Sequence, residues 1–415
     1  MKAIAFAAPI PTYLTTLVAG RISESLLVGP HACTRHIEVA TPELPGDAWV
    51  RIRTRLGGIC GSDLGIVALE ASPSTSPLSS FPFVIGHENV GDIDALGSAV
   101  RGFGVGDRVT VNPLLCCEPR AVSPPCAACA AGHHSRCAHF TDGILAPGMF
   151  IGTTKGLGGS WGEYFVAHES QLVKVDDGVS DAGAVLTEPF ACCLHAVRNN
   201  TPEPGQKVLV IGAGTMGLLM VAALRALVPT ARVTTLARHP FQARHATELG
   251  ADTTVMARGA YLGALAEVAG TRLLQPIMGR PIGVGGFDVV YVCIGGSRGV
   301  EDAMRFARAG ATIVLLGNAT TLRGLDWTPL WLKELTFRGT LAYGGHTQAG
   351  HTHGGASANA FVEAAAMIAD GRAPIAGLVT HQFPLANSRE ALATARAKGV
   401  GESVKVAFTF VQSRV

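Results

Sequence analysis

Charge is scarce in this chain. Only 15% of its 415 residues are charged, and 33 basic against 31 acidic side chains leave a net charge of +2. Soluble proteins average about 25% charged residues. No basic block stands out, which argues against a nucleic-acid partner or a charged membrane surface. Aromatic residues are few at 6%, but hydrophobic ones reach 48%, the reverse of the balance that produces disorder. The opening MKAIAFAAPIP has one Lys and an apolar stretch too brief for a signal-peptide core before Pro9 and Pro11. An apolar run of spanning length occurs at residues 208–228, where Arg225 is the only charge. Gly212, Gly214 and Gly217 interrupt it, and a buried strand followed by a buried helix explains it better than a membrane span. A surface so poor in charge is expected to be partly covered by another subunit, as in a homodimer or homotetramer.

The chain does have ten Cys, 51 Gly and 23 Pro. The cysteines are clustered, several beside His or Glu, which reads as metal sites in a reducing compartment before it reads as disulfides. A cytoplasmic location is expected. The length suits two domains. Residues 1–188 are rich in Gly and Pro with short alternating strands, such as 49–53 and 164–166, and read as a β-rich domain with long loops. From 189 to 344 apolar strands (207–211, 232–236, 288–292, 312–316) alternate with helical patterns near 215–227, 240–249 and 299–309. That alternation predicts an α/β fold with a doubly wound parallel sheet. The segment 345–415 carries a Gly/His loop, a helix near 357–370 and a closing strand at 405–410, and is expected to return to the first domain.

At 208–217 the sequence VLVIGAGTMG gives an apolar strand, then G-x-G-x-x-G, then a helix. The glycines allow a tight turn, close approach of backbone to a pyrophosphate, and helix–strand packing. Gly212, Gly214, Thr215, Met216 and Gly217 are therefore the expected dinucleotide contacts, joined by Ile294 and Gly317. A second glycine cluster at 283–286 precedes a strand and reads as a loop.

Three short strings bear metal-binding side chains: GICGSD at 58–63, GHE at 86–88 and TEP at 187–189. Thiolate, imidazole and carboxylate suit zinc, and three protein ligands with one open position make a catalytic site. Singly, each residue has an ordinary reading: Cys60 as a small hydrophobe, His87 as a turn histidine, Glu188 as a helix-entry carboxylate. Together with the glycine loop, the strings resemble the zinc-dependent medium-chain dehydrogenase/reductase family, closest to its sorbitol, threonine and glucose dehydrogenase branch. The likeness covers nearly the whole chain.

The resemblance implies a GroES-like catalytic domain, a Rossmann domain, and hydride transfer between a nicotinamide cofactor and a secondary alcohol, polyol or related hydroxy or carbonyl compound. Cys60 and His87 would be zinc ligands, Glu88 or Glu188 would supply the carboxylate, and Ser62 would take the alcohol's proton. Many relatives carry His or Tyr where this chain has Gly65, so the proton's onward route differs. The segment Cys126-x₂-Cys129-x₇-Cys137 matches the last three positions of the family's structural zinc lobe. Ser123 stands at the first, leaving Cys117 or Cys116 to complete the set. Counting back from Gly250-Ala251-Asp252, the position that selects NAD falls on Ala237, with Arg238 next. NADP(H) is therefore expected over NAD(H). Pocket walls are expected from loops near 66–83, 112–125, 140–160 and 344–356. A non-catalytic dinucleotide sensor of the same fold is the alternative. His346, His351 and His353 read as a solvated loop, Cys192 and Cys193 as packing residues on a helix starting after Pro189, His195 as a satisfied inter-domain histidine, and Asp63 as a support for the Cys60 turn.

Overall fold

A computed structural model describes residues 1–317, 320–346 and 358–410. His351 and His353 lie outside the described residues. The chain forms two compact units: Met1–Glu188 with Tyr343–Gly371 and Ala376–Val415, and Pro189–Ala342 with Arg372–Ile375. None of the described helices is long and apolar enough to cross a membrane.

The first unit is built on the strand Trp49–Gly58, whose side chains are mostly buried. It pairs antiparallel with Asn89–Leu96, Tyr164–His168 and the chain's last strand, Lys405–Thr409. The alternation legible at 49–53 runs on to Gly58 because Arg53 and Arg55 are neutralised on the outer face. Arg55 donates to Asp181 at 2.8 Å and, like Arg53, pairs with Asp92. Ile52, Ile93, Val109 and Phe165 fill the core beneath. A smaller antiparallel sheet orders Thr34–Glu38, Lys2–Phe6 and Phe83–Val84. Between its first two strands lies a helix, Ile10–Ile22, in a region the sequence suggested as strand and loop.

The second unit is a six-stranded parallel sheet. Its order is Thr253–Met256, Arg232–Ala237, Lys207–Ile211, Phe287–Val292, Ala307–Leu315 and Thr336–Gly339, the doubly wound arrangement. The apolar run at 208–228 resolves into the strand Lys207–Ile211 and the helix Thr215–Leu227. Three local expectations are corrected. The helix expected over 299–309 is Ser297–Phe306, and Ala307 opens a strand instead. Its stop comes from far away: the buried Lys333 ammonium donates to the carbonyls of Met304, Arg305 and Ala307, meeting the bare carbonyls of the helix end. The cluster at 283–286 is not all loop, because Ile282–Val284 pairs antiparallel with Arg272–Leu274. The helix expected after Pro189 begins earlier and spans Thr187–Asn199, with proline tolerated in its first turn.

Candidate metal centres and dinucleotide site

The strand Trp49–Gly58 delivers the chain to Cys60, which caps the helix Gly61–Val67. Asp63, buried on the first turn, accepts the Cys60 N–H at 2.9 Å. Its other oxygen lies 3.2 Å from His87 Nδ1. One carboxylate thus fixes the backbone of one candidate ligand and the ring of another. With Nδ1 engaged, Nε2 of His87 remains for a metal. Burial pushes the imidazole down, but the charge and hydrogen bond of Asp63 outweigh it and hold His87 well above its ordinary value.

Glu88 completes a cluster. One donor atom each from Cys60, His87 and Glu88 lies within 4.8 Å of the others. Gly58 makes room for it, since a Cβ there would collide with the Glu88 carboxylate. Both Glu88 oxygens are 2.6 Å from Lys405 Nζ, and the pair is buried, with side chains 0% and 3% exposed. Lys405 also donates to Ile59 O at 3.2 Å. Glu188, in the first turn of Thr187–Asn199, is buried but stands outside the group of three. Its charge reaches Lys405 and helps raise that ammonium's pKa against burial, behind the larger effect of Glu88. Ser62 is half-buried, two residues past Cys60 on the same helix. The Phe150 ring lies 6.3 Å from that of His87.

Residues 46–177 match the alcohol dehydrogenase GroES-like domain, and residues 215–352 match the zinc-binding dehydrogenase family. This chain belongs to the zinc-dependent alcohol dehydrogenases. It is 31% identical to a sorbitol dehydrogenase of Halalkalibacterium halodurans over 215 residues, 51% of this chain and 55% of that one. Against the L-idonate 5-dehydrogenase of Vitis vinifera it is 27% identical, over 86% of this chain and 87% of that one. A crystal structure from Sinorhizobium meliloti 1021, bound to NADP, superposes with a TM-score of 0.67 at 25% identity, covering 91% of this chain and 95% of that one.

A second thiol cluster in this chain lies in the lobe after Val111. The sulfurs of Cys117, Cys126, Cys129 and Cys137 all lie within 4.8 Å of one another, and Cys116 stands outside that group. Cys117 and Cys137 are 3.6 Å apart. That is too far for a disulfide, which needs about 2.05 Å, and close to the ~3.8 Å edge of a tetrahedron with Zn–S bonds of about 2.3 Å. Backbone N–H groups of Ala138 and Cys129 lower the Cys126 pKa to about 6, whereas burial pushes Cys137 up to about 12 and Cys129 further still. Four thiolates this close need a cation, and the donor set fits zinc. Arg120 braces the lobe. Fully buried, it donates to the carbonyls of Leu115, Asp142, Leu145, Ala146 and Gly148. Sequence reading missed both Arg120 and Lys405; a lone cation in an apolar context was the available signal for each.

The glycine loop follows the strand Lys207–Ile211, beside the point where sheet order reverses toward Phe287–Val292. Gly212 adopts φ +96, and a side chain there would strike Ile294; one at Gly317 would strike the Ile294 backbone. Gly212, Ile294 and Gly317 thus converge. Gly214 caps the helix Thr215–Leu227, whose N-terminus is the positive end of its dipole. Met216 O accepts from Cys193 Sγ at 3.4 Å. Ala237 is fully buried at the end of its strand, while Arg238 is exposed, its backbone N–H held by Gln242 at 3.2 Å. His195 is buried and contacts Asn199 Nδ2 at 3.0 Å on its own helix.

Proposed function

We propose that this protein is a zinc-dependent, NADP(H)-preferring dehydrogenase of a secondary alcohol, polyol or related hydroxy compound. The observation that carries the reading is the meeting of Cys60, His87 and Glu88, with Ser62 two residues past Cys60 on the same helix. A screen of pooled alcohols, polyols and carbonyl compounds at 340 nm tests it. Turnover of secondary hydroxyls in zinc-replete protein is expected, and silence on every pool would favour a dinucleotide sensor.

Cys60 and His87 hold the catalytic metal with a carboxylate. Glu88, which lies with Cys60 and His87 and is steadied by Lys405 at both oxygens, would supply that carboxylate, and Glu188 would be the one that exchanges in. Bound zinc supplies Lewis acidity, lowering the pKa of a substrate oxygen and polarising a carbonyl in the reverse direction. Asp63 keeps the His87 ring turned with Nδ1 inward. The Ser62 hydroxyl would accept the substrate's proton while passing its own to solvent water, and a bound nicotinamide cofactor would supply the hydride acceptor. Ser62→Ala is expected to slow the chemical step about 10²–10⁴-fold with zinc content unchanged. An undiminished single-turnover rate would remove Ser62 from the proton path.

Gly212, Gly214, Thr215, Met216 and Gly217 cradle the pyrophosphate. An acid at position 237 would repel a 2′-phosphate, whereas Ala237 leaves space and Arg238 can grip it with charge-assisted hydrogen bonds. The wild type is expected to show higher kcat/KM with NADP⁺ than with NAD⁺. Ala237→Asp/Arg238→Leu should shift that ratio about 10²-fold toward NAD⁺. A wild type that prefers NAD⁺ would overturn the assignment. Cys117, Cys126, Cys129 and Cys137 hold a second, structural zinc. Ten free thiols fit a reducing compartment, the cytoplasm. The edge strand Thr336–Gly339, with Trp331 and Leu332 exposed on the preceding helix, is a self-association face for a homodimer or homotetramer.

A further inference from the structure

The four-thiol lobe carries a fifth thiol that a metal there does not need. Four sulfurs complete a tetrahedral zinc, and Cys117, Cys126, Cys129 and Cys137 supply them within 4.8 Å of one another. Cys116 stands outside that group, yet it is built as they are. Each of the four sulfurs accepts a backbone N–H: Cys117 from Cys126 at 3.4 Å, Cys126 from Cys129 at 3.5 Å, Cys137 from His139 at 3.3 Å, and Cys129 from Cys117. The Cys116 sulfur accepts the Glu118 N–H, two residues on, the same spacing as Cys137 and His139. Its thiol is also in hydrogen-bond contact with that of Cys129. Cys116 and Cys129 are half-buried, whereas Cys117 and Cys137 are buried. A cysteine that only packs needs neither the backbone donor nor a second sulfur within bonding reach.

We propose that Cys116 and Cys129 form a peroxide-sensitive modification site, in which Cys116 is the resolving thiol that converts oxidation of Cys129 into a disulfide. This rests on the reading of the lobe as a zinc site. Hydrogen peroxide reaches the half-buried Cys129 thiolate, and a sulfur electron pair attacks the O–O bond. One oxygen stays as the sulfenic acid, and the other leaves with a proton as water. The Cys116 sulfur then attacks the Cys129 sulfur; the S–O bond breaks, and the hydroxyl departs with the thiol proton as a second water. Two thiols have lost two electrons, and the peroxide has gained them. The sulfurs close from contact to the ~2.05 Å of a disulfide, and Cys129 is withdrawn as a ligand. Three thiolates are left where four held the metal, so the lobe releases it. Arg120 makes the step reversible. It ties Leu115, next to Cys116, to Asp142, Leu145, Ala146 and Gly148 beyond Cys137, through carbonyls alone. That brace uses no sulfur, so the two sides of the lobe stay together when a ligand is withdrawn. In a reducing compartment such a disulfide is transient, as redox-sensing pairs are.

Hydrogen peroxide added to the reduced, zinc-replete protein tests the proposal. Released zinc is followed with a chromogenic chelator, and disulfides are mapped on unreduced peptides by mass spectrometry. Zinc should leave the wild type at least about tenfold faster than Cys116→Ser, because a contacting thiol acts at an effective concentration that solution thiols do not reach. The Cys60 cluster is the same in both proteins, so the difference reports the lobe. The mapped bridge should be Cys116–Cys129, and dithiothreitol with added zinc should restore the metal and the thermal midpoint. Before oxidation, Cys116→Ser and Cys116→Ala should both keep the wild-type zinc content and midpoint. Equal release from the wild type and both variants would overturn the proposal. So would a bridge that omits Cys116, or zinc loss from both reduced variants, which would make Cys116 a ligand. Cys117→Ser checks the underlying reading separately. If the reduced Cys117→Ser protein holds as much zinc as the wild type, the lobe is not a zinc site, and the mapped bridge alone decides for or against the Cys116–Cys129 pair.

Discussion

Replacing Cys60 by Ser is expected to take zinc from two ions per chain, one in each donor cluster, to one, and to abolish nearly all turnover. A hydroxyl is a poor substitute for a thiolate ligand. Losing several kcal/mol of charge stabilisation in the transition state should cost at least about 10³-fold in kcat. His87→Ala should do the same, because it removes the imidazole ligand itself. Neither change touches the glycine loop at 212–217, so dinucleotide binding followed by fluorescence should be unaltered. Atomic absorption on the purified variants counts the metal. A zinc-depleted Cys60→Ser protein that still turned over at the wild-type rate would remove this cluster from catalysis.

The second large effect concerns stability. In the zinc-free protein, Lys405→Met leaves the Glu88 carboxylate at 0% exposure without the ammonium that neutralises it. Breaking a buried ion pair from one side typically costs about 3–5 kcal/mol. At roughly 2–4 °C per kcal/mol for a unit of this size, the thermal midpoint should fall by about 6–20 °C. Adding Glu88→Gln to Lys405→Met should recover part of the loss, because the orphaned charge is gone; the difference between single and double variants measures the coupling. Lys405→Arg should lose least. Equal midpoints for Lys405→Met and wild type would show that the carboxylate finds water or another partner.

Much of the fold was legible because its signals are local. The run VLVIGAGTMG holds a strand, a turn only glycine permits and a helix start in ten consecutive residues. The strand–helix alternation from 207 onward is equally self-contained. What escaped depends on distance. The helix ending at Phe306 has no glycine or proline to stop it; its stop is the Lys333 ammonium, 27 residues later. Spacing alone sets out Cys126, Cys129 and Cys137, but the Pro-rich insertion before them lets either Cys116 or Cys117 reach back. Only the folded lobe brings Cys117 to the group and leaves Cys116 outside. The helix Ile10–Ile22 was missed for another reason: its apolar residues face outward, so the pattern that marks a helix packed on its own core is inverted.

Lys405 and Glu88 are separated by 317 residues of chain. At a synthesis rate of about 5–20 residues per second, roughly 15–60 s pass between the emergence of one and the other. The strand Lys405–Thr409 that carries the lysine is also the neighbour of Trp49–Gly58 at its C-terminal end. The second unit is wholly synthesised in that interval and can fold on its own sheet. The Cys60 region meanwhile has an open strand edge and a carboxylate that must stay hydrated. On the ribosome, therefore, the site made from the earliest part of the sequence is the last to close.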